Sequence, residues 1–95
     1  MVGMTDLPSA RSLAELVVRD LERLGGEAPR KAITDEVLAI GNFSDAQLVE
    51  PTHSASKAST YPTELHYRVS WAITHAHNNG DIERVRPSTW RLSRQ

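Results

Sequence analysis

Three amphipathic helical segments followed by two short β segments constrain the fold of this chain more than any single element does. The first segment begins at a predicted N-cap, Ser9, and ends at Gly25-Gly26. Its apolar stripe recurs at three- and four-residue spacing and consists of Leu13, Leu16, Val17, Leu21 and Leu24. Glu27-Ala28 follows and is too short for more than a single strand contact.

The second helix is predicted over residues 30–39. Pro29 suits its first turn, because the N–H that proline lacks has no helical partner there. The inward residues are predicted to be Ile33, Val37 and Ile40. Gly41-Asn42 ends this helix. Ser44 and Gln47 then have the spacing of a capping box, which predicts a further short turn of helix.

The third helix is predicted over residues 63–79, after an irregular polar loop over residues 51–62. At about 100° per residue its apolar side chains point the same way. They are Leu65, Val69, Ala72, Ile73 and Ala76. Two short β segments follow, residues 82–85 and 89–92, with Arg86-Pro87-Ser88 as the tip between them.

This order of elements is typical of a winged helix, a helix-turn-helix with a C-terminal β-hairpin wing. We therefore predict an α+β, mostly helical fold. The 95 residues suffice for one modest core and hence for a single domain over residues 1–95. We expect flexible ends at residues 1–8 and 93–95.

The charge distribution favours a polyanionic partner despite a net charge of −1. Residues 1–56 hold five basic and nine acidic side chains, whereas residues 57–95 hold six basic and three acidic ones. DNA would be attracted to the C-terminal half. The alternative is that such a division arises by chance in a short chain.

The absence of cysteine excludes disulfides and thiolate metal sites and favours a reducing compartment. No stretch approaches the roughly 20 apolar residues that span a bilayer. The N-terminus lacks a basic patch followed by an apolar run, so it does not resemble a signal peptide. We expect a cytoplasmic, nucleoid-associated bacterial protein with no membrane partner.

Several segments of the chain resemble the N-terminal domain of Mrr-type restriction proteins. They are Leu7-Pro8-Ser9, residues 24–28, the block Tyr67-Arg68-Val69-Ser70-Trp71-Ala72-Ile73-Thr74, residues 80–85 and Thr89-Trp90-Arg91-Leu92. The resemblance implies a winged-helix DNA-binding domain. In that family the domain usually precedes a nuclease domain that attacks modified, typically methylated, DNA. No nuclease domain follows in this chain, so we do not carry cleavage over and expect no enzymatic activity.

Candidate DNA contacts surround the third helix, because a recognition helix usually contacts base edges with its N-terminal residues. In that helix the candidates are Thr63, His66, Tyr67, Arg68 and Ser70. Lys57, Ser59, Thr60 and Tyr61 precede it, and Arg30 and Lys31 begin the second helix; all six are candidate contacts to the phosphate backbone. The alternative is that these are ordinary solvent-facing residues.

The predicted wing contributes three further candidates: Arg84, Arg86 and Arg91. An arginine at a hairpin tip can enter a narrow minor groove, which makes Arg86 the strongest of the three. Trp71 is expected to pack beneath the wing or against a loop. A dimer contact, or a stacking surface for a modified or flipped base, are the alternatives for Trp71.

Metal and catalytic sites are not expected. His75 and His77 diverge by about 200° on a helix, and cysteine ligands are absent. Glycine-rich phosphate loops and activated nucleophiles are absent as well. We therefore predict no catalytic, cofactor-binding or metal-ligating residues and no cofactor.

Two functional hypotheses follow. The first is double-stranded DNA binding, either as the target-recognition module of a modification-dependent restriction system or as a small DNA-binding regulator. Its candidate partners are duplex DNA, methylated or not, a second copy in a homodimer, and a nuclease domain in the full-length protein. The alternative is a winged-helix module for protein–protein interaction or dimerisation without DNA binding.

Overall fold

Helices fill most of the chain, and three short strands form one antiparallel sheet. The computed structural model describes residues 6–93. Its elements are α1 (Ala10–Arg23), β1 (Glu27–Pro29), α2 (Arg30–Ile40), α3 (Asp45–Val49), a 3₁₀ turn (Ala55–Lys57), α4 (Glu64–Asn78), β2 (Ile82–Arg86) and β3 (Thr89–Leu92). The α+β, mostly helical prediction is confirmed, and the layout is compatible with a winged helix.

Both ends of α1 follow the predicted signals. The hydroxyl of Ser9 accepts the backbone N–H of Ser12 at 3.1 Å and so caps the helix. After Arg23, Gly25 and Gly26 take left-handed φ values of 98° and 93°, which glycine adopts without steric cost. The N–H of Gly26 donates to the carbonyl of Leu21 at 2.9 Å, which closes the helix end.

The second helix differs from the prediction at both ends. Pro29 ends β1 and is the N-cap of α2, with an extended ψ of 158°, rather than part of its first turn. Ile40, predicted to point inward, is 37% exposed. The helix ends at Ile40 with Gly41 as its C-cap, and Phe43 beyond it packs against the core. The capping box of Ser44 and Gln47 is confirmed.

The sheet has the order β1-β3-β2, with both pairs antiparallel. Arg86 lies in β2 and pairs with Thr89, so the hairpin tip is shorter than predicted and consists of Pro87-Ser88. Ser88 has a φ of 62°, and its carbonyl accepts the backbone N–H of Arg30 at 2.6 Å. This bond ties the tip to the start of α2.

The core lies mainly between α1, α4 and the sheet. All five predicted residues of the α4 stripe are buried, together with Ile33 and Val37 of α2 and Ile82 and Trp90 of the hairpin. No helix in the described part of the chain is both long and apolar enough to cross a bilayer.

The predicted flexible ends lie largely outside residues 6–93. Where the structure describes them, the backbone is engaged: Gln47 donates to the carbonyl of Asp6 at 2.7 Å, and Arg68 donates to those of Leu7 and Pro8 at 3.2 and 3.1 Å.

Candidate nucleic-acid interface

A concave surface lies where the start of α2, the segment before α4, the first turns of α4 and the hairpin tip meet. Its volume is about 480 Å³. Six of the predicted contact residues line it, namely Arg30, Lys31, Thr60, Tyr61, His66 and Ser70. Ser88 of the hairpin tip also lines it. We call this surface the cradle. Ser88 was missed as a candidate, although the sequence had already placed it at the tip.

Ser70 is the hub of a hydrogen-bond network in the cradle. A guanidinium nitrogen of Arg30 donates to the hydroxyl of Ser70 at 3.0 Å. The hydroxyl of Tyr61 lies 3.2 Å from the same oxygen. The network joins α2, the segment before α4 and α4 itself. These hydrogen bonds fix the relative positions of three separate parts of the chain at this surface.

The start of α2 is suited to an anion. Pro29 supplies no side-chain cap, and the first turn contains no acidic residue. The N–H of Arg30 donates to the carbonyl of Ser88. The other N–H groups at this helix N-terminus and the helix dipole attract negative charge, and the side chains of Arg30 and Lys31 add to this attraction. Lys31 also pairs with Asp35 at 3.0 Å, but both side chains are exposed. Such a pair contributes only about 0–1 kcal/mol, so Lys31 can exchange Asp35 for a phosphate.

His66 and Thr63 are linked at the start of α4. The hydroxyl of Thr63 accepts the backbone N–H of His66 at 3.2 Å and lies 2.7 Å from Nδ1 of its ring. Thr63 therefore serves mainly as the N-cap of α4. Burial lowers the pKa of His66; Asp35 opposes this shift and Lys31 adds to it. Since the ordinary value is 6.5, the His66 imidazole is mostly neutral at pH 7.

A second concavity of about 230 Å³ runs along the neighbouring flank of α4. We call it the aromatic groove. It is lined by Lys57, Tyr61, Tyr67, Ser70, Trp71 and Thr74. The rings of Tyr61 and Tyr67 meet edge to face with centroids 5.2 Å apart. Ser59 is exposed beside these residues and lines neither concavity.

Trp71 was predicted to pack beneath the wing or against a loop, and it lies beside the loop before α4 rather than beneath the wing. Its side chain is 50% exposed and faces the segment that carries Lys57 and Tyr61. Trp90 of β3 is the tryptophan that packs into the core, with its ring 5.3 Å from that of His77. The hairpin therefore covers a different side of α4.

Arg68 does not belong to the cradle. At about 100° per residue it lies about 160° around α4 from Ser70. Its guanidinium donates to Glu64 at 2.8 Å and to the carbonyls of Leu7 and Pro8. Arg68 thus holds the segment before α1 against α4, and we withdraw it as a DNA contact.

The three wing arginines occupy different surroundings. Arg91 pairs with Glu83 on the adjacent strand and faces away from buried Trp90, because successive strand residues point to opposite faces. This orientation removes Arg91 from the candidate interface. Arg86 pairs with Glu27 at 2.8 Å in an exposed contact. The guanidinium of Arg84 lies 5.9 Å from the Trp90 ring centroid. Both border a shallow depression at the hairpin.

The acid stability of the protein is expected to depend on Glu64. Burial raises the pKa of this carboxyl, but hydrogen bonds from the His53 backbone and from Arg68 outweigh burial and lower it below 4.5. A lowered folded-state pKa gives stability that is present above the unfolded value and lost as pH falls through the folded value. Below about pH 4.5 the free energy of unfolding should therefore fall less steeply with decreasing pH in Glu64→Gln than in the wild-type protein. Urea unfolding at a series of pH values measures this dependence. Glu15→Gln, on the exposed face of α1, is the control; matching pH profiles for all three proteins would contradict the expectation.

The chemistry that these surfaces offer is binding. The cradle combines cations, hydroxyls and a helix N-terminus, which suit phosphate oxygens, with one carboxylate, that of Asp35, which pairs with Lys31. Among residues 6–93 no three His, Asp or Glu side chains are grouped so that they could hold a metal ion.

Comparison with known proteins identifies no relative of this chain. No family model, curated protein or solved structure matches the chain. The cradle and the aromatic groove are therefore the features from which a function can be inferred.

Proposed function

We propose that this chain is a winged-helix module that binds double-stranded DNA through the cradle. The observation that carries the proposal is the convergence of Arg30, Lys31, Tyr61, His66 and Ser70 on one concave surface from separate parts of the chain. The helix, strand, helix, helix and hairpin order supports it, as does the β1-β3-β2 sheet.

In the proposed complex the N-terminal half of α4 enters the major groove, which is about 12 Å wide and admits one helix. His66, Tyr67 and Ser70 then face base edges. Phosphates of one strand lie at the start of α2, against Arg30 and Lys31. Lys57 approaches the backbone on the other flank of α4, and Arg86 lies beside the hairpin tip, nearest the minor groove.

The availability of several cationic side chains to bind phosphates supports this arrangement. Within residues 6–93, Arg30, Lys57 and Arg84 have no carboxylate partner. Arg86 and Lys31 have one, in exposed pairs that cost little to exchange. These five cations border the proposed path of the DNA.

The resemblance to Mrr-type N-terminal domains favours a role in target recognition for a restriction system. Methylated duplex DNA is then the candidate ligand, a nuclease domain of the full-length protein the candidate partner, and the bacterial cytoplasm the expected location. A small DNA-binding regulator fits the same surfaces. The present chain has binding chemistry and is proposed to act without catalysis.

A protein–protein interaction module is the second candidate. The observation that favours it is the internal neutralisation of Lys31, Arg86 and Arg91 by neighbouring carboxylates. With a net charge of −1, this pairing leaves fewer cations for a polyanion than a strongly basic domain has. Under this hypothesis the cradle binds a protein surface, and adding a DNA duplex does not perturb the residues of the cradle.

Amide chemical-shift mapping with a short duplex at low salt separates the two candidates. We expect the perturbed amides to cluster at residues 30–31, 57–61, 63–70 and 86–89. The exposed face of α1, around Arg11 and Glu15, serves as the internal control and should be unaffected. Shifts centred on α1, or no shifts at all, would contradict duplex binding through the cradle.

A further inference from the structure

Trp71 is the one exposed aromatic side chain among residues 6–93, and it does not stand alone. Tyr67 precedes it by four residues, so the two rings lie one above the other on the same flank of α4. Lys57 and Tyr61 form the opposite side of the aromatic groove. The fold uses Trp90, not Trp71, to fill the core beside the hairpin, so the packing of the domain leaves the exposure of Trp71 unexplained.

A second copy of the chain is a poor occupant for this groove. Stable interfaces bury about 1,200–2,000 Å² and have an apolar centre. Here the aromatic surface is limited to the indole of Trp71 and the half-buried rings of Tyr61 and Tyr67. The hydroxyls of Ser70 and Thr74 and the ammonium group of Lys57 border it. The volume of about 230 Å³ suits a single planar group better than an interface of that size.

The charge of the groove indicates the chemistry of its ligand. Lys57 borders the aromatic surface, and in the described part of the chain it forms no ion pair, so its charge is available to a ligand. A nucleotide combines a flat aromatic base with an adjacent phosphate. Sites for unpaired nucleotides pair these same elements, aromatic rings for the bases and cations for the backbone.

We propose that the aromatic groove binds an unpaired nucleobase, stacked on Trp71 and Tyr67, with its phosphate held by Lys57. The groove shares Tyr61 and Ser70 with the cradle. An unpaired base in DNA that lies along α4 is therefore adjacent to the groove, whether it belongs to a single strand or has left the stack of a duplex. The site is additional to duplex docking and does not require it.

The test compares three DNA probes: a perfect duplex, the same duplex with one unpaired thymine, and a short oligothymidine. Wild-type protein should bind the bulged duplex more tightly than the perfect one. Trp71→Ala should weaken binding to the bulged duplex and to oligothymidine about 5- to 160-fold, the range for losing one stacked base. Perfect-duplex affinity should change less than about twofold, because Trp71 is not among the proposed duplex contacts.

Two variants make the result specific. Trp71→Phe keeps an aromatic face and should restore most of the affinity that alanine loses. Val49→Ala removes exposed apolar surface on α3 and should alter binding to none of the probes. Quenching of tryptophan fluorescence by oligothymidine should disappear in Trp71→Phe, since the remaining Trp90 is buried.

Equal effects of Trp71→Ala on all three probes, or no effect on any, would overturn the proposal. So would a dimer in sedimentation that Trp71→Ala converts to monomer. If the perfect duplex does not bind but oligothymidine still quenches the fluorescence of Trp71, the proposal of duplex recognition is contradicted and the proposal of a base-stacking site is supported.

Discussion

Replacing Ile73 with alanine is expected to destabilise the protein by about 2–5 kcal/mol, the range for truncating a fully buried aliphatic side chain. Ile73 is completely buried on the inner face of α4, the helix that supplies both the cradle and the aromatic groove. Domains of this size have a total stability of about 5–15 kcal/mol, so the loss is a large fraction of it. Urea unfolding followed by far-UV circular dichroism measures the change.

Ile40→Ala is the matched control, because it deletes the same atoms from a side chain that is 37% exposed at the end of α2. It should cost less than about 1 kcal/mol, since the removed atoms leave no buried cavity. Ile73→Val, which removes one methylene, should cost about 0.5–1.5 kcal/mol, less than Ile73→Ala. Equal losses for Ile73→Ala and Ile40→Ala would show that α4 is not packed as described.

Replacing Arg30 and Lys57 together with alanine is expected to weaken duplex binding about 10- to 100-fold at low salt, since each cation is proposed to contact a phosphate. Both lack a carboxylate partner in the described chain, so their charge is available without breaking an ion pair. The dependence of log K on log salt should also flatten by about 2 units, close to 0.9 for each lost contact. Fluorescence anisotropy of a labelled duplex gives both quantities.

Arg11→Ala with Arg23→Ala is the control, since it removes the same total charge from α1. Among the described residues Arg11 has no carboxylate partner, whereas Arg23 forms an exposed pair with Glu36. It should change affinity less than about threefold through the overall field alone. If this pair weakened binding as much as the Arg30 and Lys57 pair, attraction would be a property of total charge and not of the proposed interface.

The backbone of the fold could be predicted because its signals are local. The α4 stripe has helical periodicity, Ser9 and the Ser44–Gln47 pair are capping residues, and Gly25-Gly26 supports left-handed backbone. Each of these acts within one or two turns of the chain. The exposure of Ile40 was not predictable in this way, because it depends on where the last turn of α2 lies relative to the core.

The candidate site was less predictable, because its contacts join distant parts of the chain. Arg68 resembles a free cation in the sequence, yet it donates to Leu7 and Pro8, about 60 residues earlier. Arg30 and Ser70 were separate candidates, and only folding brings them to 3.0 Å. The four-residue spacing of Tyr67 and Trp71 puts both on one flank of α4, but which flank the hairpin covers is a tertiary property.

Titration of wild-type protein with a duplex of about two helical turns, at 50 and 200 mM salt, tests duplex recognition most directly. Five cations border the proposed path, namely Arg30, Lys31, Lys57, Arg84 and Arg86. We therefore predict binding at 50 mM salt and a slope of log K against log salt of about −3 to −5, which weakens affinity roughly 60- to 1,000-fold at 200 mM. No binding at 50 mM, or an affinity unchanged between the two salt concentrations, would contradict DNA recognition by the cradle.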